Sequence, residues 1–378
     1  MITHAAKESD RLRILFLLKY ARQGAASRHR VFQYVPYLEA AGWTVVCEPL
    51  FSDRYLAEFY GTSKRSPMRA LAAYWRRLAF LTRTPLDRFD VVYVQNEVFP
   101  RLPFFVTYST LRHHGGVVVD YDDAVFVRYQ NTLLHKKVSQ LMALSREVIV
   151  GNDYLSGYAR RFTDAVTILP TVVDMDRYTT KADYVCAESR FVIGWIGTPV
   201  TARYLASCAG ALQQIAAKHS IVLRCIGTPP NFSLPGVPVQ NVAWDEATEC
   251  DLIRRFDIGI MPLVDEPFAW GKCGFKLVQY MGCGVPAIGA NLGANRQIID
   301  HGKNGFLANC DSEYVDLIGA LIGDQRLRES IGRAGRKRIE TAYSLQSTQA
   351  AFEQVLRRAA LGRRAERREC LNGDLRFQ

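Results

Sequence analysis

The chain has 378 residues, 48% hydrophobic and 22% charged, with no long low-complexity tract. That is enough to bury a large core and to fill two ordinary domains, and it excludes a disordered or fibrous chain. The 48 Lys and Arg against 37 Asp and Glu leave a formal charge of +11, which favours phosphorylated ligands, polyanions or an anionic membrane surface; no module of interleaved basic and aromatic residues accompanies it, so nucleic acid is not an expected partner.

The first half alternates apolar, strand-like runs with amphipathic, helix-like ones. The strand-like runs are RILFLLKY (13–20), TVVCEPL (44–50), DVVYVQ (90–95), GVVVDYDD (116–123) and VIVGN (148–152), and a helix is predicted over 31–41. Continuous apolar strands separated by such helices predict an α/β fold with a parallel sheet covered on both faces. This Rossmann-like first domain is placed at 1–172. After its first strand, ARQGAASRHR (21–30) holds Gly24, Arg28 and Arg30 but no GxGxxG. It reads either as an exposed basic turn or as a glycine-containing ligand loop.

SPMRALAAYWRRLAFLTRTP (66–85) predicts an amphipathic helix on which Trp75, Arg76 and Arg77 suit an acceptor or an anionic bilayer, although it could equally pack on its own domain. VVVDYDDAVF (117–126) crowds Asp120, Asp122 and Asp123 at a strand end. Capping accounts for one of them, and Asp122 or Asp123 is the candidate for an acceptor-side or catalytic role.

Residues 173–190 are polar and read as a linker. A second alternating series follows over 191–343: FVIGWIG (191–197), IVLRCIG (221–227), VQNVAW (239–244), DIGIMPL (257–263), PAIGA (286–290) and GFLA (305–308). Helices are predicted around 311–322 and 325–343. A last helix, within 344–378, has a basic end and is expected to cross back to the first domain. The chain would thus fold as two doubly wound parallel-sheet halves facing a cleft, with ligands at the carboxyl ends of the strands.

In KCGFKLVQYMGCGVPAIG (272–289) a helix is predicted to lead into a strand, with Lys272 and Lys276 four apart at its amino end. Cations there oppose the helix dipole. Either both extend into solvent, or with the amides near Cys273, Gly274 and Phe275 they cradle a diphosphate. In GANRQII (293–299), Asn295 could cap a short helix or bind a ligand hydroxyl.

From 191 to 308 the order GWIGTPVTARYL, FDIGIMPL, GKCGFKLVQYMGCGVPAIG, GANRQIIDHGKNGFLA resembles the group 1 (GT4-like) retaining nucleotide-sugar glycosyltransferases of the GT-B fold. The resemblance implies transfer of a sugar from a nucleoside diphosphate sugar to a saccharide or lipid-linked saccharide. Retention of configuration and synthesis of a bacterial surface polysaccharide or glycoconjugate are further implications. No cofactor is expected, and no metal site, because this family holds its diphosphate with basic groups and helix dipoles.

Family members carry two glutamates separated by seven residues, one for the sugar and one for the ribose. Here Gly271 and Gln279 stand in those places, so Gln279 would reach the ribose and Asp265 or Glu266 the sugar. Gly24, Gly197, Thr198, Arg203, Lys272, Cys273, Gly274, Phe275, Lys276, Gln279 and Asn295 make up the implied donor site. Lys276, Asp122 and Asp123 carry the catalytic expectation; Arg28, Arg30, Trp75, Arg76 and Arg77 are the acceptor or membrane residues.

A non-catalytic sugar-nucleotide binder is a second reading, favoured by the two missing acids. A nicotinamide-dependent oxidoreductase is a third, opposed by the absent GxGxxG and ribose-binding acid. The nine cysteines show no CxxC or zinc-ligand spacing and read as reduced. With a polar amino terminus and no run of about 20 apolar residues, a cytoplasmic protein is expected, placed peripherally on the inner face of the membrane if it touches one.

Overall fold

The computed structural model describes residues 11–62, 66–186 and 188–374. They form two compact units, 1–170 with 349–378 and 171–348. Each unit is built on a six-stranded, wholly parallel sheet with helices packed against it.

In unit 1 the strands are β1 (Arg13–Tyr20), β2 (Thr44–Phe51), β3 (Val91–Gln95), β4 (Val117–Tyr121), β5 (Glu147–Val150) and β6 (Val166–Ile168). Their spatial order is β2-β1-β3-β4-β5-β6. Every residue of β3, β4 and β5 is buried, because a parallel strand covered on both faces exposes neither side of its pleat. Unit 2 carries β7 (Phe191–Ile196), β8 (Ile221–Ile226), β9 (Val239–Val242), β10 (Ile258–Met261), β11 (Ala287–Ala290) and β12 (Phe306–Ala308), in the order β12-β11-β10-β7-β8-β9. In both sheets the chain starts near the middle, runs to one edge, then returns to build the other. That reversal is the switch point beyond which ligands of doubly wound sheets bind.

Four helices carry or border the candidate functional residues: α1 (Pro67–Arg83), α2 (Phe104–Leu111), α3 (Phe275–Gly282) and α4 (Leu345–Asp374). The predicted 31–41 helix is a π-helical turn, Arg28–Phe32, with a separate helical piece, Val35–Ala40, after it; Pro36 sets the start of that second piece.

The segment read as a polar linker is docked into unit 2. Val172, Val173, Tyr178 and Tyr184 are all buried, and Val173 bridges Ser344. Polar residues between these four faced solvent and hid them in the sequence.

The last helix, α4, is held against unit 1 as far as Arg364, and residues 365–369 beyond it are exposed. Phe352 packs 4.4 Å from the Tyr34 ring, Arg358 pairs with Glu147 at 2.8 Å, and Arg364 pairs with Asp90 at 2.6 Å. Arg363 donates to the His114 carbonyl at 2.6 Å. All these partners lie in unit 1.

Candidate functional site

In unit 2 the basic candidates Arg203, Lys272 and Lys276 lie near the carboxyl end of β7. The helix α3 begins at Phe275, because Gly274 takes a left-handed φ of 64° that ends any helical path through it. Lys272 therefore lies in the turn before the helix, not on its face as the four-residue spacing predicted. A side chain at Gly274 would also run into Ile298.

The two lysines still reach neighbouring aromatic surfaces. Lys276 Nζ stands 5.2 Å from the centre of the Trp195 ring. Lys272 Nζ stands 4.9 Å from Phe268 and 5.9 Å from Tyr204. An ammonium over a ring face is held there electrostatically.

Beside them, Arg203 Nη2 donates to Glu266 Oε1 at 2.8 Å and Tyr204 Oη donates to the same oxygen at 2.6 Å. Glu266 thus faces Arg203, and Asp265 accepts the Trp270 indole N–H at 2.8 Å. Gly197 is fixed by its amide on the Ile226 carbonyl at 3.0 Å, and the Thr198 amide by the Thr201 hydroxyl at 3.0 Å. Cys273 is buried and Phe275 is half-buried against the α3 core.

Asn295 does not cap its short helix. Its Nδ2 donates to the Ala290 carbonyl at 2.9 Å, while its buried Oδ1 has no hydrogen-bond partner among the described residues and lies beside Gly274. An acceptor left unmatched in the interior costs free energy until a donor reaches it.

Gln279 departs from the ribose role. It is buried, and its amide donates inward to the Tyr178 hydroxyl at 3.0 Å. That hydroxyl in turn donates to Glu249, which also accepts the Trp244 indole at 2.5 Å. The buried acid next to this position is thus Glu249, brought in from another helix; nothing in the local motif pointed to it.

In unit 1 most of the basic candidates are structural. Arg30 forms a buried pair with Asp120 and donates to the Leu169 carbonyl at 2.6 Å, while Tyr93 Oη donates to Asp120 at 2.6 Å. Arg77, 1% exposed, donates to the carbonyls of Leu18 at 2.9 Å and Glu48 at 2.6 Å. It stitches β1 to β2, and burial pulls its pKa down to about 10.

Arg76 donates to the carbonyls of Pro49 and Leu50 at 3.0 and 2.7 Å. Arg28 is buried in its π-helical turn. Gly24 closes that turn against Tyr20, where a Cβ would clash. Arg28, Arg30 and Arg77 are buried and Arg76, though exposed, is spent on backbone carbonyls; a sequence pattern shows neither, so the ligand expectation attached to all four.

The acids of β4 do stay at the strand end. Asp122 accepts from Asn96 Nδ2 at 3.3 Å, and its pKa is pushed up to about 6 by burial, helped by the charges of Asp123 and Asp120. Asp123 lies 4.0 Å from Arg128. Asn96, directly after β3, holds a positive φ of 60°, the kind of strained backbone that collects at functional sites; it carried no mark in the sequence.

Residues 191–324 match the family model described as Glycosyl transferases group 1. Among curated proteins, similarity is found to N-acetyl-alpha-D-glucosaminyl L-malate synthase of Bacillus anthracis, 21% identical over 48% of this chain and 49% of that protein. It is also found to the capsular polysaccharide biosynthesis glycosyltransferase CapM of Staphylococcus aureus, 22% identical over 71% of this chain and 69% of that protein. The chain spans about half the length of the first of these.

Among solved structures, HepE of Anabaena in complex with UDP-glucose superposes with a TM-score of 0.69 at 15% identity, over 91% of this chain and 99% of that one. WaaG, a glycosyltransferase involved in lipopolysaccharide biosynthesis, superposes with a TM-score of 0.64 at 14% identity, over 90% and 99%. At these identities the likeness is one of fold, and the fold is GT-B.

Proposed function

We propose that this GT-B chain, whose residues 191–324 carry the group 1 glycosyl transferase domain, transfers a sugar from a nucleoside diphosphate sugar to a saccharide or lipid-linked saccharide hydroxyl with retention of configuration. The observation that supports it most is the cationic rim at the end of β7. Lys276 and Lys272 stand over aromatic rings there, beside Arg203 and the amino end of α3.

A departing diphosphate gains negative charge as the glycosidic bond breaks. Cations already held in place stabilise that charge without reorganising at the moment of reaction. The positive end of the α3 dipole adds to them. Arg203 would exchange Glu266 for phosphate oxygens, which frees the Glu266 carboxylate for a sugar hydroxyl. Asn295 Oδ1 can accept another. On the acceptor side, Asp122 and Asp123 are the acids left at a strand end, and at neutral pH Asp122 has released its proton. A uridine diphosphate sugar is the first donor to try, because that is what HepE holds.

A second reading keeps the binding and drops the transfer. It is favoured by Gly271, which has no side chain for the sugar, and by Gln279, which turns inward. Thermal stabilisation by UDP or UDP-glucose, but not by NAD, tests the binding shared by both readings. Release of UDP that depends on an added acceptor separates them: no release with any acceptor leaves a binder. Stabilisation by NAD alone ends both.

A further inference from the structure

Unit 1 carries a helix whose outer face is dressed for a nonaqueous neighbour. On α1, Met68, Leu71, Trp75 and Leu78 recur at intervals of three and four and so share one face. They are 82%, 61%, 63% and 36% exposed. The opposite side, Ala73, Arg77 and Leu81, is the buried one, so the apolar stripe is not the core face of the helix.

Scattered exposed apolar residues are ordinary; a stripe of four along one helix marks an interaction surface. The middle of α1 is tied to the loop that leads into α2 through Tyr74 Oη on the Pro100 carbonyl at 2.5 Å. There α2 exposes Phe105 and Tyr108 in turn, and Arg112 comes directly after it.

Charge selects the occupant. Along the edge of the stripe Arg69, Arg76 and Arg83 recur every seven residues; Arg69 pairs with Glu58 and Arg76 rests one nitrogen on the Pro49 and Leu50 carbonyls, while neither α1 nor α2 itself contains an Asp or Glu. The arginine edge also borders two surface hollows. One, of about 560 Å³, is lined by Arg76 and Arg83 together with Glu48 and Asp53; the other, of about 450 Å³, by Arg54, Arg69 and Arg76 with Phe51 and Tyr55 and no acid.

A protein interface of standard size would need a broad patch of roughly 800 Å² a side with a mixed polar rim. An apolar ridge one helix wide with a cationic border matches a helix lying in the headgroup layer of an anionic bilayer. Among the described residues no helix is long and apolar enough to cross a membrane, so the contact is a seat and not a span.

We propose that α1, assisted by the exposed ring of Phe105 on α2, seats unit 1 on an anionic lipid surface, with Met68, Leu71, Trp75 and Leu78 in the acyl boundary and the arginine edge on lipid phosphates. This does not depend on the transfer reaction. The test is co-sedimentation of the full chain with vesicles of phosphatidylcholine and phosphatidylglycerol at 70:30, beside pure phosphatidylcholine vesicles.

The protein should partition onto the anionic vesicles at least tenfold more strongly than onto the neutral ones, and less so as salt rises. M68Q/L71Q should lose at least tenfold of that partition, with an unchanged melting temperature and unchanged stabilisation by UDP. F105Q should lose a smaller part. Absence of partition in the wild type, full partition in M68Q/L71Q, or equal partition onto neutral vesicles overturns the proposal. So does a wild-type dimer that M68Q/L71Q turns into a monomer, which would assign the face to a second copy. The UDP measurement on the same samples reports separately on the donor site.

Discussion

The two units share a six-stranded parallel sheet, wound in the order β2-β1-β3-β4-β5-β6 in one and β12-β11-β10-β7-β8-β9 in the other, and they spend the basic residues at their candidate sites differently. In unit 1 the arginines near the strand ends are turned inward: Arg30 pairs with Asp120, Arg77 and Arg76 bind strand-end carbonyls, and Lys137 pairs with Glu97 at 2.7 Å. In unit 2, Lys272 and Lys276 stop short of any such burial and rest on aromatic faces at the rim. A buried cation must be paired or hydrogen-bonded to offset its lost hydration, and once it is, it holds the fold together. Unit 2 has such braces as well, Arg328 on the Leu321 and Tyr184 carbonyls among them, so the half-buried lysines of its rim stand out as the place to test for binding.

That contrast can be broken most directly at Arg77. Arg77→Ala leaves the carbonyls of Leu18 and Glu48 without their donor and opens a gap between α1 and the sheet. It should cost about 3 kcal/mol, lowering Tm by roughly 6–12 °C in a calorimetric scan. Lys276→Ala should show the reverse profile: Tm nearly unchanged, and affinity for UDP, measured by titration calorimetry, down roughly tenfold to a hundredfold. An Arg77 variant that melts normally, or a Lys276 variant that binds UDP normally, would collapse the distinction.

Asp122 sharpens it at a smaller scale. Its carboxyl releases its proton near pH 6 in the folded unit against 3.8 for the ordinary group, so between those values the folded state holds a proton that the unfolded state has lost. Stability should therefore fall as pH rises from about 4 to about 6, and the loss is complete above that. Urea midpoints across pH 4–8 should show this decline, and Asp122→Asn should flatten it. The smallest effect is expected at Gln279. Its amide serves Tyr178, so Gln279→Ala should cost about 1 kcal/mol of stability while changing UDP affinity by less than about threefold; a tenfold loss would return it to the ribose.

Eleven of the twelve strands run within about two residues at each end of the apolar stretches that mark them, because a parallel strand buried on both faces reads as a nearly continuous hydrophobic word. β6 escaped notice: three residues long, at the sheet edge, with Ile168 40% exposed, it has too little burial to leave a pattern. β9 reads two residues too long, since Ala243 and Trp244 continue the apolar run after the pairing with β8 has ended.

At the site, the position of Gly274 was legible but its left-handed turn was not, and that turn takes Lys272 off the helix. The roles of Arg28, Arg30 and Arg77 were misread for a different reason. Whether an arginine is buried depends on carbonyls and acids scores of residues away, such as Asp120 for Arg30 and Leu18 for Arg77. Glu249 and Asn96 are invisible for the same reason, since one matters through Tyr178 and the other through its backbone.

The docking of α4 has a temporal side. Trp43 and Tyr37 share the carboxylate of Glu353 at 3.1 and 2.9 Å, and Phe352 sits on Tyr34 and Tyr93, so residues made first wait for a helix made after all of unit 2. At ribosomal speeds that wait is on the order of fifteen to sixty seconds. Throughout it the nascent amino-terminal half presents an uncovered aromatic trough to the cell, whereas the contiguous half behind it can close as soon as it emerges. A trigger for chaperone capture, or for aggregation when translation stalls late, is thereby written into the connectivity.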